Sequence, residues 1–302
     1  MACIFLYFML LLTLSGERRK GKLMKKFFFI LSLLVCFILN YQFFCNAEGI
    51  AETNVDIKIN NQYISFSASP FIYNSIAYVP VRFFADALDA EVLWSDESRI
   101  ATVSNADTQI SFLVNDKTAY VDGVAKKMSS DALIVSGRIF VPVRFIGENL
   151  GGSVVWDNYY RNVCIGFENI SVDNSIINRS YTDDDVFWLG RIIEAESSGE
   201  PLRGKIAVGN VVLNRVKSKE FPNTIYGVIF DRNYGVQFQP ILNGAIYNNP
   251  SYESMMASKF ALKGERPVGD CLYFLNPATA SNFWIADNRQ YHTTILNHDF
   301  YL

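Results

Sequence analysis

The chain has 302 residues, enough for two domains of ordinary size, and half of these residues are apolar. Residues 48–302 carry 21 basic and 29 acidic side chains, a net charge near −8. That charge argues against a nucleic-acid-binding protein, because phosphate contacts require clustered Lys and Arg. With two His and no Cys-x-x-Cys motif, the chain offers few zinc ligands. We therefore expect no metal site and no cofactor.

The first 47 residues have the pattern of a secretory signal peptide. Met24-Lys25-Lys26 is a short basic start, an apolar run extends from Phe27 to Leu39, and Cys45-Asn46-Ala47 follows a more polar stretch. The run is shorter than the ~20 apolar residues that span a bilayer. We interpret residues 1–47 as a signal peptide, with residues 1–23 a mis-called gene start. The alternative is an uncleaved N-terminal anchor.

An internal repeat with an offset of 62 residues occupies much of the region 52–167. The segment Ala77–Phe83 recurs as Ile139–Phe145, and Val92–Asp96 matches Val154–Asn158. Each unit predicts a strand, a turn into a short helix (83–88 and 145–150), and a second strand that ends after a Trp. Two such units cannot easily bury their apolar faces separately, so we expect one α+β domain.

The paired Val-Pro-Val-Arg-Phe units with their downstream Trp resemble the copper amine oxidase-like N-terminal domain. The resemblance implies an accessory module of secreted bacterial proteins, one that holds an enzyme to a cell-envelope ligand. Despite the name, residues 52–167 contain no His, so we expect no copper. Residues 168–182 are polar and are predicted to form a linker.

After the linker, Thr182 and three following Asp residues predict the start of a helix. An apolar stripe then runs through Val186, Leu189 and Ile193, and the next position on it is Glu196. A carboxyl on this face either pairs with a group such as Arg215 or keeps its proton at neutral pH. A glutamic acid with a raised pKa is what glycosidic bond cleavage requires. Periodicity alone leaves a structural and a catalytic role open.

The motifs of the C-terminal part resemble the cell wall hydrolase family of spore cortex-lytic enzymes (SleB-like). They follow one another in order along the chain: Ile193–Pro201, Gly204–Val216, Phe221–Ile229, Gln237–Pro240, Tyr273–Pro277, Phe283-Trp284 and Asn297–Phe300. The resemblance covers essentially all of residues 183–302. Together with the repeat domain, it predicts a multidomain α+β protein with an N-terminal two-repeat α+β module and a mainly helical, lysozyme-like hydrolase domain.

The resemblance implies cleavage of peptidoglycan glycan strands between N-acetylmuramic acid (MurNAc) and N-acetylglucosamine (GlcNAc), by lytic transglycosylation. The family's catalytic carboxyl falls on Glu196. The sequence departs from the family at Ser197-Ser198, where the usual pair is Ala-Arg. Glu200 is the only nearby second acid, and its place between Gly199 and Pro201 favours a capping role. The expected location is extracellular, at the cell wall or spore envelope.

For the substrate groove we predict two amides and three aromatic rings, because rings stack on sugar faces and amides bind hydroxyl and N-acetyl groups. These residues are Gln237, Phe238, Tyr273, Asn276 and Trp284. Core packing is the alternative for Phe238 and Tyr273, and a turn is the alternative for Asn276. His298 is expected to be structural. The alternative functions are a non-catalytic wall-binding protein and an N-acetylmuramoyl amidase, although amidases usually need zinc.

Overall fold

The computed structural model describes residues 55–168, 172–233 and 235–302. The predicted signal peptide, residues 1–47, lies outside this part of the chain. The described residues form two main hydrophobic cores, one built from residues 55–172 and one from residues 189–300. No helix within these ranges is both long and apolar enough to cross a bilayer.

The N-terminal module consists of thirteen described strands and two short helices. In chain order they are β1 Asp56–Ile59, β2 Gln62–Tyr63, β3 Phe71–Tyr73, β4 Ile76–Pro80, α1 Val81–Asp86, β5 Glu91–Ser95, β6 Ile100–Ser104, β7 Gln109–Leu113, β8 Thr118–Val121, β9 Val124–Lys127, β10 Leu133–Val135, β11 Arg138–Pro142, α2 Val143–Asn149, β12 Ser153–Asp157 and β13 Asn162–Gly166. They form three sheets with the strand orders β12-β13-β1-β2, β10-β11-β4-β3 and β5-β6-β7-β8-β9.

The sequence repeat is also a structural repeat. Strand β4, helix α1 and strand β5 recur as β11, α2 and β12, and the strand boundaries are offset by the same 62 residues. Strands β4 and β11 pair antiparallel with Val79 opposite Val141, its own repeat equivalent. The two units are therefore related by a local two-fold axis between these strands. The helices begin at Val81 and Val143, two residues before the predicted starts, because the preceding Pro residues serve as N-caps.

The segment predicted as a linker packs against the N-terminal module. Val172 is buried in the module's core, and Ile177 forms a β-bridge with Ile64. The Asn178 amide donates to the Tyr63 carbonyl oxygen. Residues 172–178 thus follow the module's surface, and the chain enters the next domain at Thr182.

The C-terminal part is mainly helical and carries one small antiparallel sheet. Its helices are α3 Asp183–Ser197, α4 Leu202–Lys217, α5 Ile225–Ile229, α6 Pro240–Asn243, α7 Tyr252–Leu262 and α8 Trp284–Asn288, with a 3₁₀ turn at Ala245–Tyr247. Strands β14 Tyr273–Leu275, β15 Tyr291–Ile295 and β16 His298–Tyr301 form a sheet in the order β14-β16-β15. The chain is thus a mixed α+β protein, sheet-rich at its N-terminal side and helical beyond it, as predicted.

A buried polar network joins the two parts of the chain. Asp56 on β1 forms ion pairs with Lys259 at 2.9 Å and with Lys263 at 2.6 Å, both near the C-terminal end of α7. Lys259 is fully buried and also donates to Asn162 on β13. Lys58 pairs with Asp183 at the start of α3. Because removing one partner of a buried ion pair leaves an uncompensated charge, these contacts fix the docking of the module.

Candidate functional site

Helix α3 places Glu196 near the inner face of the C-terminal part. Thr182 and Asp185 form a capping box at the start of the helix. The stripe residues Val186, Leu189 and Ile193 are all completely buried. At 3.6 residues per turn, Glu196 lies within about 80° of each of them around the helix, whereas Glu194 lies about 160° from Glu196. Glu196 and Glu194 therefore lie on different sides of α3.

Glu196 is half-buried, and its carboxyl group has neither a hydrogen bond nor an ion pair within the part of the chain that the structure describes. The residue as a whole keeps part of its surface exposed to solvent. Burial raises the pKa of Glu196 to about 7, while the nearby charge of Arg215 acts in the opposite direction. At neutral pH the group is thus divided between its acid and carboxylate forms.

Glu194 provides a contrast on the same helix. Its carboxylate accepts hydrogen bonds from the Ser251 amide at 2.9 Å and from the Ser251 hydroxyl at 2.5 Å. Burial alone would raise its pKa, but hydrogen bonds from Ser251 and Ser254 outweigh that effect and lower it. Glu194 is therefore a bound carboxylate, whereas Glu196 is an unpartnered acid.

Arg215 on α4 is surrounded by aromatic rings, and its charge lowers the pKa of Glu196. Its guanidinium carbon is 5.0 Å from the centre of the Phe221 ring, 5.2 Å from that of Phe238 and 5.5 Å from that of Tyr273. The Nε donates to the Leu272 carbonyl oxygen at 2.8 Å, but Nη1 is sealed from solvent without an acceptor. Burial lowers the pKa of this guanidinium to about 10.

A line of ring and guanidinium contacts connects this buried centre with the surface. Arg289 lies 4.4 Å from the Tyr273 ring centre and 5.4 Å from that of Trp284. Tyr273 in turn contacts Arg215, and Trp284 is half exposed. The structure therefore brings two of the predicted groove residues, Tyr273 and Trp284, into one contiguous group with Arg215. Arg289 was not predicted from the sequence, where its only signal is a basic residue shortly after Phe283-Trp284.

The other three predicted groove residues lie in different settings. Gln237 is partly buried and donates to the Gly235 carbonyl oxygen. Asn276 forms a turn, since its side chain accepts from the Ala278 amide. Phe238 is only 3% exposed and packs in the hydrophobic core against Phe274. Phe238 therefore presents no face to a sugar, which corrects that expectation: its ring supports the Arg215 guanidinium instead.

Glu200 and His298 form a separate buried pair. The His298 Nδ1 lies 3.2 Å from a Glu200 oxygen, and both side chains are almost fully buried. The same oxygen accepts from the Asn297 side chain at 3.0 Å and from its amide. The pair thus ties the turn between β15 and β16 to the start of α4. Lys205, also buried, donates to the Ser198 and Glu200 carbonyl oxygens beyond the end of α3.

A cavity of about 430 Å³ lies on another side of α4. Asn210, Leu213 and Lys217 on that helix contribute to its lining, together with Arg266. With 3.6 residues per turn, Asn210 lies about 140° around the helix from Arg215, so this cavity is not the space next to Glu196. In the described ranges no cluster of three or more His, Cys, Asp or Glu side chains could hold a metal ion. Cys164 and Cys271 are free thiols.

Two sequence families match the chain. Residues 58–165 match the copper amine oxidase N-terminal domain, and residues 199–301 match the Cell Wall Hydrolase family. The second match begins three residues after Glu196, so it does not itself include that residue.

Curated relatives and solved structures match the same C-terminal half. A spore cortex-lytic enzyme of Bacillus cereus is 38% identical over 109 residues, which are 36% of this chain and 41% of the relative. The spore cortex-lytic enzyme of Bacillus subtilis is 35% identical over 105 residues, 35% of this chain and 33% of the relative. The chain thus spans about two fifths or less of the length of these curated relatives.

Among solved structures, the catalytic domain of the germination-specific lytic transglycosylase SleB from Bacillus anthracis is 36% identical, with a TM-score of 0.38. The match covers 42% of this chain and all of that domain. The two family matches show a copper amine oxidase N-terminal domain followed by a domain of the Cell Wall Hydrolase family, in the order that the sequence motifs predicted.

Proposed function

We propose that the chain is an exported enzyme that cleaves the glycan strands of peptidoglycan between MurNAc and GlcNAc, with Glu196 as its catalytic acid. The observation that carries the proposal is a partly exposed carboxyl group with a pKa of about 7 that has no hydrogen bond or ion pair among the described residues. Relatives described as spore cortex-lytic enzymes support the substrate class. The domain boundaries that we propose are 52–167, 168–182 and 183–302.

The reaction we propose is lytic transglycosylation, in which one carboxyl group acts twice. The Glu196 acid gives its proton to the glycosidic oxygen as the bond to the muramoyl C1 breaks, and the electron pair leaves with that oxygen. The resulting carboxylate then takes the proton of the muramoyl C6 hydroxyl, and the oxygen of that hydroxyl attacks C1. The product is a 1,6-anhydro ring, and Glu196 regains its proton. No water is consumed, and no second carboxylate is required.

The surroundings of Glu196 fit this use of one acid. Glu200, the nearest second acid in sequence, is engaged with Asn297 and His298 and is 4% exposed. It is not positioned as a free nucleophile. The half-exposed Trp284 offers a ring face for sugar stacking, with Tyr273 behind Arg289. Gln237 and Asn276 stay proposed substrate contacts, and the scaffold that we propose for the site is lysozyme-like and helical. The N-terminal module would hold the enzyme to an envelope ligand.

The test is digestion of purified spore cortex and vegetative sacculi, followed by mass spectrometry of the released muropeptides. Wild type should release anhydro-muropeptides, which are lighter by one water than the reducing ends that hydrolysis gives. Glu196→Gln should abolish release, while Glu194→Gln, two residues away on the same helix, should keep it. Binding without products would establish a non-catalytic wall-binding protein. Cleavage of the peptide stem would establish an amidase, and either result would refute the proposal.

A further inference from the structure

The Nη1 of Arg215 is an unusual group, because it is a charged donor without an acceptor. It is sealed from solvent, and no hydrogen-bond partner for it occurs among the described residues. The Nε of the same guanidinium is well satisfied by the Leu272 carbonyl oxygen. A buried, unsatisfied donor is costly, so native structures rarely keep one without a function.

Three aromatic rings surround the Arg215 guanidinium. Phe221, Phe238 and Tyr273 each contribute a ring within about 5.5 Å of the guanidinium carbon. Rings attract the cation through their faces but accept no strong hydrogen bond from Nη1. The guanidinium is thus held in place while one of its N–H groups stays available.

Three ionisable groups on neighbouring elements raise the pKa of Arg215 by electrostatic attraction, against the effect of burial. In order of strength they are the Tyr273 phenol on β14, the Glu196 carboxyl on α3 and the Asp231 carboxyl in the loop after α5. Asp231 already accepts a hydrogen bond from the Asn233 amide. The charge of Arg289 lies beyond the Tyr273 ring. Glu196 is therefore the stronger of the two carboxyl groups and the one without a hydrogen bond.

We propose that Arg215 is a positioning residue whose Nη1–H receives the carboxylate that Glu196 becomes after it has delivered its proton. This inference rests on the proposed function. In the resting acid form, Glu196 needs no partner, and the donor stays empty. Once the proton has moved to the glycosidic oxygen, the new carboxylate turns to Nη1, which stabilises it until the C6 hydroxyl proton returns. The contact then breaks, so Nη1 of Arg215 binds Glu196 only while Glu196 is a carboxylate, between the two proton transfers.

The inference predicts the effect of Arg215 on the titration of Glu196. The positive charge of Arg215 favours the ionised form of the Glu196 carboxyl and so lowers its pKa. Arg215→Met should therefore raise the pKa of Glu196 above the wild-type value. In the pH profile of kcat/KM the alkaline limb should shift to higher pH by the same amount. The value of kcat should fall more than KM changes, because Arg215 acts on the intermediate and not on the bound substrate.

The experiment uses the full chain and two independent readouts. The pH profile of muropeptide release gives the alkaline limb for wild type, Arg215→Met, Arg215→Lys and the control Asp231→Asn. Arg215→Lys keeps the charge, so its limb should stay near wild type, with a reduced kcat because the fixed donor is lost. Asp231→Asn should leave the limb of Glu196 close to wild type.

The second readout needs no activity. The pH dependence of unfolding free energy is compared between each Arg215 variant and the same variant carrying Glu196→Gln, which isolates the titration of Glu196. A higher titration midpoint of Glu196 in Arg215→Met than in Arg215→Lys supports the inference. An unchanged titration midpoint overturns it, whatever happens to the rate of muropeptide release. A shifted midpoint in a chain that releases no products would support the electrostatic coupling of Arg215 to Glu196 and refute the enzymatic role.

Discussion

The raised pKa of Glu196 has a consequence for stability that can be calculated from the structure. The pKa moves from 4.5 to about 7 on folding, a shift of ~2.5 units at about 1.4 kcal/mol per unit. Between these pH values the folded state binds more protons than the unfolded state, so stability falls as pH rises. Above pH 7 the buried carboxylate costs the fold about 3 kcal/mol, and below pH 4.5 it costs nothing.

Glu196→Gln tests this calculation, because Gln keeps the shape of the side chain and cannot ionise. We expect the variant to gain stability relative to wild type as pH rises from 4.5 to 7, by up to about 3 kcal/mol. Urea unfolding followed by Trp fluorescence, at a series of pH values, measures the difference. The gain should level off once wild-type Glu196 is fully ionised.

Glu194→Gln is the matched control, with the opposite sign. The pKa of Glu194 is lowered, so its carboxylate stabilises the fold above its unfolded pKa, and this stabilisation is lost as pH falls through the folded value. Removing it should destabilise the protein at neutral pH and matter little in acid. A difference between wild type and Glu196→Gln that stays flat with pH would refute the reasoning about Glu196.

Three further predictions concern the groove, the core and the docking of the module. Trp284→Ala removes a half-exposed ring. We expect a higher KM for glycan, with an unfolding free energy within about 0.5 kcal/mol of wild type. A large loss of stability would contradict a surface role. Phe238→Ala opens the core beneath the guanidinium and should cost ~3–5 kcal/mol in urea unfolding; a cost below ~1 kcal/mol would mean that the ring is not a core residue. Asp56→Asn leaves Lys259 buried without its carboxylate, with an expected loss of ~3–5 kcal/mol. Despite the opposing effect of burial, the two lysines hold the pKa of Asp56 below its ordinary value, so the loss should disappear only as pH falls through that lowered value.

Local patterns predicted the parts of the structure that depend on neighbouring residues. The capping residue Thr182 and the stripe that ends at Glu196 were both readable, because a helix repeats its faces every few residues. The 62-residue repeat likewise predicted two strand–helix–strand units.

Contacts between distant residues were not readable in this way. The sequence around Phe238 is compatible with a ring in the groove and with a ring in the core. Only the packing of β14 and α4 shows that the ring lies in the core. Nothing in the sequence near Asp56 indicated two lysines that follow it by about two hundred residues. The ring surroundings of Arg215 depend on three separate segments, so sequence reasoning named this residue only as a partner that Glu196 could have.

The register of β4 against β11 has an evolutionary consequence. A strand edge that pairs with its own equivalent, Val79 opposite Val141, is the contact that two separate copies of one polypeptide would make. A single ancestral unit could therefore have assembled as a homodimer through this edge before duplication joined the copies. Fusion would then free each copy to diverge, and strand β7 is the one described strand of the module without an equivalent at the 62-residue offset.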